Sequence, residues 1–166
     1  MSEYTHITHT FEPVFDKHSK ILILGTLPSV KSREQNFYYG HPQNRFWKVL
    51  AAITQSDVPQ TIQEKKALLL RSHIAVWDVV QECDIIGSSD ASIKNVTPTD
   101  LKRILAESDI KALFANGKTA AKLYDKFQKN STGRQIITLP STSPANAACS
   151  LEDLIGKWRA ELEKYL

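Results

Sequence analysis

Short runs dominated by apolar residues are the clearest pattern along this chain. They span residues 21–24, 74–80, 110–115 and 135–139, and each is followed by Gly, Pro, Asn or another polar residue. Strands of a parallel sheet are buried on both faces, so they are typically apolar at every position and do not alternate. The pattern therefore predicts four strands of a parallel sheet.

Helical spacing of apolar residues fills most of the sequence between these runs. Helices are predicted over residues 44–53, 61–72, 99–107, 118–129 and 150–166, whereas residues 83–100 are predicted to form a polar loop. Thr61 with Glu64, and Ser150 with Asp153, have the spacing of helix-capping pairs. Alternating strands and helices predict an α/β fold, a three-layer αβα sandwich around a central four-stranded parallel sheet, in a single domain over residues 1–166.

Composition narrows the function only by exclusion. The net charge of +3 permits a nucleic-acid partner without requiring one. The two cysteines, Cys83 and Cys149, are too few and too far apart for a structural zinc site or an iron–sulfur cluster. The sequence shows neither a signal-peptide pattern nor an apolar run of membrane-spanning length. We expect a cytoplasmic protein with reduced thiols, no metal, no cofactor and no membrane partner.

The unusual residues of the chain collect where the predicted strands end. In parallel α/β sheets, ligands bind beyond the carboxyl ends of the strands. Asn116-Gly117-Lys118-Thr119 is not a phosphate loop, because the required earlier glycine is replaced by Ala112. One composite site is therefore predicted where the strands end, at residues 25–29, at Trp77-Asp78, at Asn116-Gly117 and at residues 139–144.

The loop after the first strand is crowded with aromatic residues. Phe37, Tyr38 and Tyr39 precede a glycine, a setting that favours stacking on a planar ligand over core packing. Asn44 stands just before a predicted helix, so a capping role and a chemical role are both open. Arg45 is open to two readings as well, a phosphate contact or a solvated helix face. The histidines at positions 6, 9, 18 and 73 lack metal-ligand spacing and are predicted to be incidental.

Two segments resemble a known family. His41-Pro42-Gln43-Asn44-Arg45-Phe46-Trp47-Lys48 and the loop Leu139–Asn146 resemble the two motifs of the uracil-DNA glycosylase superfamily. The mismatch-specific branch has an asparagine where this chain has Leu27. Gly-Thr-x-Pro followed by Tyr-Tyr-x-His-Pro-x-Asn is instead similar to the DNA-deoxyinosine (hypoxanthine-DNA) glycosylases.

The resemblance implies a DNA repair enzyme that flips out a deaminated base and hydrolyses its N-glycosidic bond, with hypoxanthine as the expected base. It implies that the amide oxygen of Asn44 positions the attacking water. The base pocket would comprise Gly25, Thr26, Leu27, Pro28, Phe37, Tyr39, His41 and Asn116. The loop residues Ser29, Ser141, Thr142, Ser143, Pro144 and Asn146 would bind DNA.

Further expectations concern the reaction mechanism, the oligomeric state and the alternative functions. No lysine stands in a nucleophile motif, so a monofunctional enzyme is expected. A monomer is expected because the enzyme must wrap DNA. A uracil or mismatch glycosylase is one alternative, and a catalytically silent DNA-binding domain of the same fold is the other. Excision assays on deoxyinosine and deoxyuridine separate the three.

Overall fold

The structure is a computed structural model that describes residues 3–166. In chain order the strands are β1 (Thr5–Thr8), β2 (Ile21–Gly25), β3 (Ile74–Asp78), β4 (Val80–Ile85), β5 (Lys94–Pro98), β6 (Ala112–Asn116) and β7 (Ile136–Leu139). The helices are α1 (Val30–Gln35), α2 (Phe46–Thr54), α3 (Ile62–Arg71), α4 (Leu101–Glu107), α5 (Lys118–Phe127), α6 (Lys129–Thr132) and α7 (Leu151–Leu162).

The predicted parallel sheet is present, in the order β3-β2-β6-β7. All residues of β2 and β3 are buried, as their largely apolar sequences predict. The α/β class and the four-stranded sheet flanked by helices are confirmed. The predicted strand 74–80 is divided, because β3 ends at Asp78 and β4 begins at Val80 in a different sheet.

The prediction of a polar loop over residues 83–100 is wrong. Strands β4 and β5 form an antiparallel pair there, and β1 adds to the other side of β4. A small apolar cluster of Val80, Cys83 and Ile85 holds this sheet together. Its signal in the sequence is weak because register shifts interrupt the pairing of β4 with β5, and so break the alternation of apolar and polar positions.

Aromatic packing fixes the helices that follow β2 and β7. Phe46, the first residue of α2, meets Trp158 of α7 edge to face with ring centroids 5.9 Å apart. The Trp158 indole N–H donates to the Pro140 carbonyl at 2.9 Å, which ties α7 to the loop after β7. Both predicted capping serine and threonine side chains accept from the expected backbone N–H groups, Thr61 from Glu64 and Ser150 from Asp153. Among residues 3–166 there is no helix with the length and apolarity needed to cross a bilayer.

Strand order sets the position of the candidate site. The chain passes from β2 to β3 on one side, and later strands add to the other side of β2 through β6. Because parallel crossovers are right-handed, this reversal sends the connections to opposite faces and opens a crevice between the carboxyl ends of β2 and β6. Gly25 and Asn116 are the last residues of these two strands.

Candidate active site

A cavity of about 280 Å³ lies at this crevice. Of the residues predicted for the site, those that line it are Gly25, Thr26, Leu27, Pro28, Ser29, Tyr39, Asn44, Asn116, Ser141, Thr142 and Ser143. A more open cavity of about 630 Å³ lies near the amino ends of β6 and β7 and contains none of these residues. The smaller cavity is the better candidate, since it gathers polar groups from distant parts of the chain.

A directed chain of hydrogen bonds crosses one wall of the cavity. The Asn116 Nδ2 donates to Thr142 Oγ1 at 3.0 Å, and the Thr142 hydroxyl donates to Asn44 Oδ1 at 2.8 Å. Asn116 Oδ1 accepts from the Thr142 backbone N–H at 3.0 Å. Thr142 is fully buried. The two amides are therefore held in fixed orientations by a residue on the loop after β7.

Asn44 is placed for both of the roles that its sequence setting left open: its side chain bonds the first backbone N–H of α2, and it lines the cavity. Its Oδ1 accepts from the Phe46 backbone N–H at 2.9 Å as well as from Thr142. This identifies the oxygen of the amide, because both partners are donors. Its Nδ2 makes no hydrogen bond to a residue within 3–166, and Asn44 is part of the cavity wall. The group left for a ligand or water is therefore the amide NH₂, and not the amide oxygen that was expected, because two protein donors occupy that oxygen.

Arg45 organises the loop after β7. Its guanidinium donates to the carbonyl oxygens of Cys149, Ser143 (2.9 Å) and Asn146 (3.0 Å), and its backbone N–H donates to the Thr142 carbonyl at 3.1 Å. Neither predicted role, a phosphate contact or a solvated helix face, describes this arrangement. The planar, five-donor guanidinium suits it because several donors can diverge to separate carbonyls.

Tyr39 enters the cavity in a strained backbone conformation. Its φ of 51° lies in the left-handed region, and its ring stacks on Phe46 with centroids 3.9 Å apart. Its hydroxyl is buried and has no hydrogen-bond partner among the described residues. Burial, and then the nearby Asp78 carboxylate, raise the pKa of this phenol, while its side-chain contact with Asn116 lowers it. Tyr39 therefore keeps its proton and remains a donor.

Phe37 and His41 do not line the cavity. Phe37 is 3% exposed and stacks on Trp47 at 6.1 Å, so its apolar ring completes the core instead of facing a ligand. The His41 ring is partly exposed, and its Nδ1 accepts from the Gln43 N–H at 3.1 Å. The expected pocket contact of these two residues is thus not part of this geometry, since core packing and a local turn occupy their side chains.

Several of the residues expected to bind DNA use their side chains in hydrogen bonds within their own loops. The hydroxyls of Ser29 and Ser143 accept backbone N–H groups of their own turns, whereas Pro144 is exposed. Asn146 donates to the Ser141 carbonyl at 2.9 Å. The loop is consequently stiff and internally bonded, and it presents its outer edge next to the cavity.

Asp78, which the sequence places at a strand end of the composite site, lines the cavity, and His9 lies behind it as a partner that the sequence pattern did not indicate. Asp78 ends β3, is 3% exposed and lines the cavity. Its Oδ2 lies 2.8 Å from His9 Nε2, in a pair whose side chains are 1% and 5% exposed. The prediction that His9 is incidental is wrong. An acidic residue closing the apolar run Ile74–Asp78 was the one signal available, and the partner lies 69 positions earlier.

Gly25 is required by close approach. A Cβ at this position would lie 2.5 Å from Asp78 Oδ1 and 3.0 Å from the Tyr39 hydroxyl oxygen. The two polar atoms therefore converge over the backbone of Gly25, at the base of the cavity.

Comparison with known proteins agrees with this geometry. A family model described as the Uracil DNA glycosylase superfamily matches residues 12–163. A protein of Methanosarcina barkeri named hypoxanthine DNA glycosylase is 33% identical over 139 residues, 82% of this chain and 86% of its own. A protein of the same name from Methanosarcina acetivorans is 31% identical over 158 residues, 93% of this chain and 97% of its own.

A solved structure gives the same result for the fold. The solution NMR structure of a proposed uracil DNA glycosylase from Methanosarcina acetivorans has a TM-score of 0.76 to this chain. It is 28% identical in sequence, and the match covers 90% of this chain and 95% of that one.

Proposed function

Since the chain belongs to the uracil DNA glycosylase superfamily, we propose that it removes hypoxanthine from DNA that contains deoxyinosine. The chain is a DNA N-glycosylase, a hydrolase of N-glycosyl bonds. The choice of hypoxanthine is supported by the names of two relatives more than 30% identical to it. The enzyme acts as a monomer and leaves an abasic site.

The observation that carries this proposal is the cavity beside Asn44. Its volume of about 280 Å³ is near the lower end for small-molecule sites, as suits a single base. A base can reach such a cavity only after it leaves the DNA stack, which costs about a few kcal/mol and least for a mismatched or damaged base. Hypoxanthine pairs poorly, so flipping selects for it.

Asn44 positions the water in this scheme. Breaking the glycosidic C–N bond gives the sugar positive charge and the departing base negative charge. With Oδ1 fixed by two protein donors, the Asn44 NH₂ is the group available to hold the water near the sugar carbon. A neutral amide suffices if the bond to the base is largely broken before water attacks.

Backbone donors stabilise the departing base. The N–H groups of Thr26 and Leu27 make no hydrogen bond to another residue in the described part of the chain, and both residues line the cavity. Fixed donors aimed at developing negative charge lower the barrier without reorganisation. Among residues 3–166 no lysine lines the cavity, which supports direct hydrolysis over a Schiff-base intermediate.

A single-turnover excision assay tests the proposal. Labelled duplexes would carry one deoxyinosine or one deoxyuridine, and alkali would convert abasic sites into strand breaks. Asn44→Ala is expected to lose at least about 100-fold in rate on deoxyinosine with DNA binding retained, as for removal of a group that contacts the transition state. Asn130→Ala, which removes an exposed amide from α6, is the matched control.

Each other outcome assigns a different role. Cleavage at deoxyuridine alone would place the chain with the uracil-directed members of the superfamily. Undiminished excision by Asn44→Ala together with a lower melting temperature would make Asn44 only a helix cap. DNA binding without any cleavage would indicate a silent binding domain.

A further inference from the structure

Two polar atoms at the base of the cavity have no hydrogen-bond partner within residues 3–166. The Tyr39 hydroxyl is buried without a hydrogen bond, and Asp78 Oδ1 makes none with residues 3–166, although Asp78 is 3% exposed. Buried polar groups are nearly always satisfied, and an unpaired one costs about 1–3 kcal/mol. Both atoms lie within 3.0 Å of the same point above Gly25. A ligand that bonds both would remove the cost.

His9 determines which carboxylate oxygen of Asp78 is available to a ligand. Its Nε2 lies 2.8 Å from Asp78 Oδ2 and must carry the hydrogen, because an ionised carboxylate only accepts. The imidazole is itself held, since its ring packs against Phe11 at 4.5 Å and the His9 backbone N–H donates to Gln81 at 2.7 Å. Oδ2 is thereby occupied and Oδ1 is the free acceptor in the cavity.

The pair presents one donor beside one acceptor. The Tyr39 hydroxyl keeps its proton and is the donor, and Asp78 Oδ1, whose companion oxygen bonds His9, is the acceptor. This pattern is complementary to a carbonyl beside a ring N–H, the lactam edge of a base. In hypoxanthine that edge consists of O6 and N1–H, whereas adenine offers an N6 donor and an N1 acceptor at the same places.

We propose that Tyr39 and Asp78 together read the lactam edge of the flipped base, with Tyr39 donating to the exocyclic oxygen and Asp78 accepting from the adjacent ring N–H. This rests on the proposed function and adds the rule by which the enzyme tells a deaminated base from its amino parent. His9 acts as a positioning residue for Asp78.

Rejection of the amino base follows from the same contacts. Adenine would place the lone pair of N1 against the Asp78 carboxylate and an N–H group against the Tyr39 hydroxyl hydrogen. Sites built to hydrogen-bond a substrate group discriminate strongly, because the wrong substrate leaves buried groups unpaired. The carboxylate is not suited to stabilise an anionic leaving base, so its contribution is to selection and the backbone donors serve departure.

Asp78→Asn is the sharpest variant. With His9 Nε2 protonated, as it is beside the wild-type carboxylate, the new amide turns its oxygen to His9 and its NH₂ toward the position of Oδ1. The substitution therefore converts the acceptor in the cavity into a donor with almost no change in volume. Tyr39→Phe removes only the other contact. Asp84→Asn is the matched control, because Asp84 also accepts from a histidine, His6 at 2.8 Å, but lies outside the cavity.

The assay measures single-turnover excision of deoxyinosine and of purine deoxyriboside, which lacks O6 and carries an acceptor at N1. Wild type is expected to prefer deoxyinosine. Asp78→Asn is expected to lower the ratio of the two rates by about 10- to 100-fold, and Tyr39→Phe to lower deoxyinosine excision by a similar factor. Asp84→Asn should leave the ratio unchanged. The ratio cancels any general loss of folding, which thermal unfolding would record separately.

The failures of the two proposals are distinguishable. If wild type excises deoxyinosine but neither variant changes the ratio or the rate, the edge-reading proposal is overturned and the proposed function stands. If wild type excises only deoxyuridine, the hypoxanthine assignment falls. The same variants would then be compared on deoxyuridine, whose O4 and N3–H form the same edge, and an unchanged rate there would overturn the edge-reading proposal too.

Discussion

At the scale of single residues, Asn44 shows what a motif can and cannot tell. Its place before a helix predicted a cap, and its place in the His41–Lys48 segment predicted chemistry. The contact that joins both roles comes from Thr142, 98 positions away, which no local pattern encodes. The pairing of Asp78 with His9 was missed for the same reason, because it depends on the antiparallel sheet in which β1 lies beside β4, the strand that follows Asp78.

Thr142 tests whether the orientation of Asn44 matters. Thr142→Val keeps the shape but removes the hydroxyl that accepts from Asn116 and donates to Asn44. It should destabilise the fold by about 1–3 kcal/mol, the usual cost of leaving buried polar groups unpaired, and slow deoxyinosine excision by about 10-fold or more. Urea unfolding and single-turnover rates measure the two effects.

Thr142→Ser is its matched control, as it retains the hydroxyl and loses one methyl group. Rates near wild type for the serine variant and slow excision by the valine variant would fit the account. Equal rates for Thr142→Val and wild type would show that the hydrogen-bond chain is structural only.

At the scale of elements, the strands set where the site lies, and the loops that follow them supply most of the side chains that line it. The apolar runs predicted the parallel sheet and the carboxyl ends at which residues converge. They could not predict how the loop after β7 is held, because an arginine at a helix start is equally common on a solvated face. Packing and topology together turn Arg45 toward the carbonyls of residues 143–149.

Arg45→Lys should loosen this loop while leaving the core intact. A single ammonium group cannot reach three diverging carbonyls with the geometry of a guanidinium, so several of these carbonyls lose their donor. We expect faster hydrogen exchange of amides in residues 141–149, and weaker excision that follows from the misplaced loop. Mass spectrometry of exchanged peptides measures the effect.

Lys48→Arg, an exposed change one turn further along α2, should leave exchange in this loop unchanged. Wild-type protection of residues 141–149 in Arg45→Lys would mean that α7 and the bond from Trp158 to Pro140 suffice to hold the loop.

At the scale of the whole molecule, buried tyrosines set the alkaline limit of stability. Burial is the largest cause that raises the pKa of Tyr38 and of Tyr39, and Asp78 adds to both. Above about pH 10 the unfolded chain releases these protons while the native state retains them. The unfolded state then binds fewer protons, so the free energy of unfolding falls as pH rises.

Each of the two tyrosines should lower the free energy of unfolding by up to about 1.4 kcal/mol per pH unit above pH ~10. The pKa of Tyr124 is also raised by burial, so this residue acts in the same direction. Urea unfolding from about pH 9 to pH 11 measures the slope. Tyr39→Phe should reduce the dependence of the free energy of unfolding on pH by close to the contribution of one proton, about 1.4 kcal/mol per pH unit. An unchanged slope in this variant would mean that the phenol is accessible to solvent and ionises in the native state.

The central claim is that this fold releases hypoxanthine from DNA. The most direct test is to incubate the purified protein with a duplex containing one deoxyinosine and to identify the released base by mass spectrometry, with abasic sites counted in parallel. The account predicts free hypoxanthine in a one-to-one ratio with new abasic sites, and none from Asn44→Ala. An intact deoxyinosine strand after prolonged incubation with a protein that binds the duplex would contradict it.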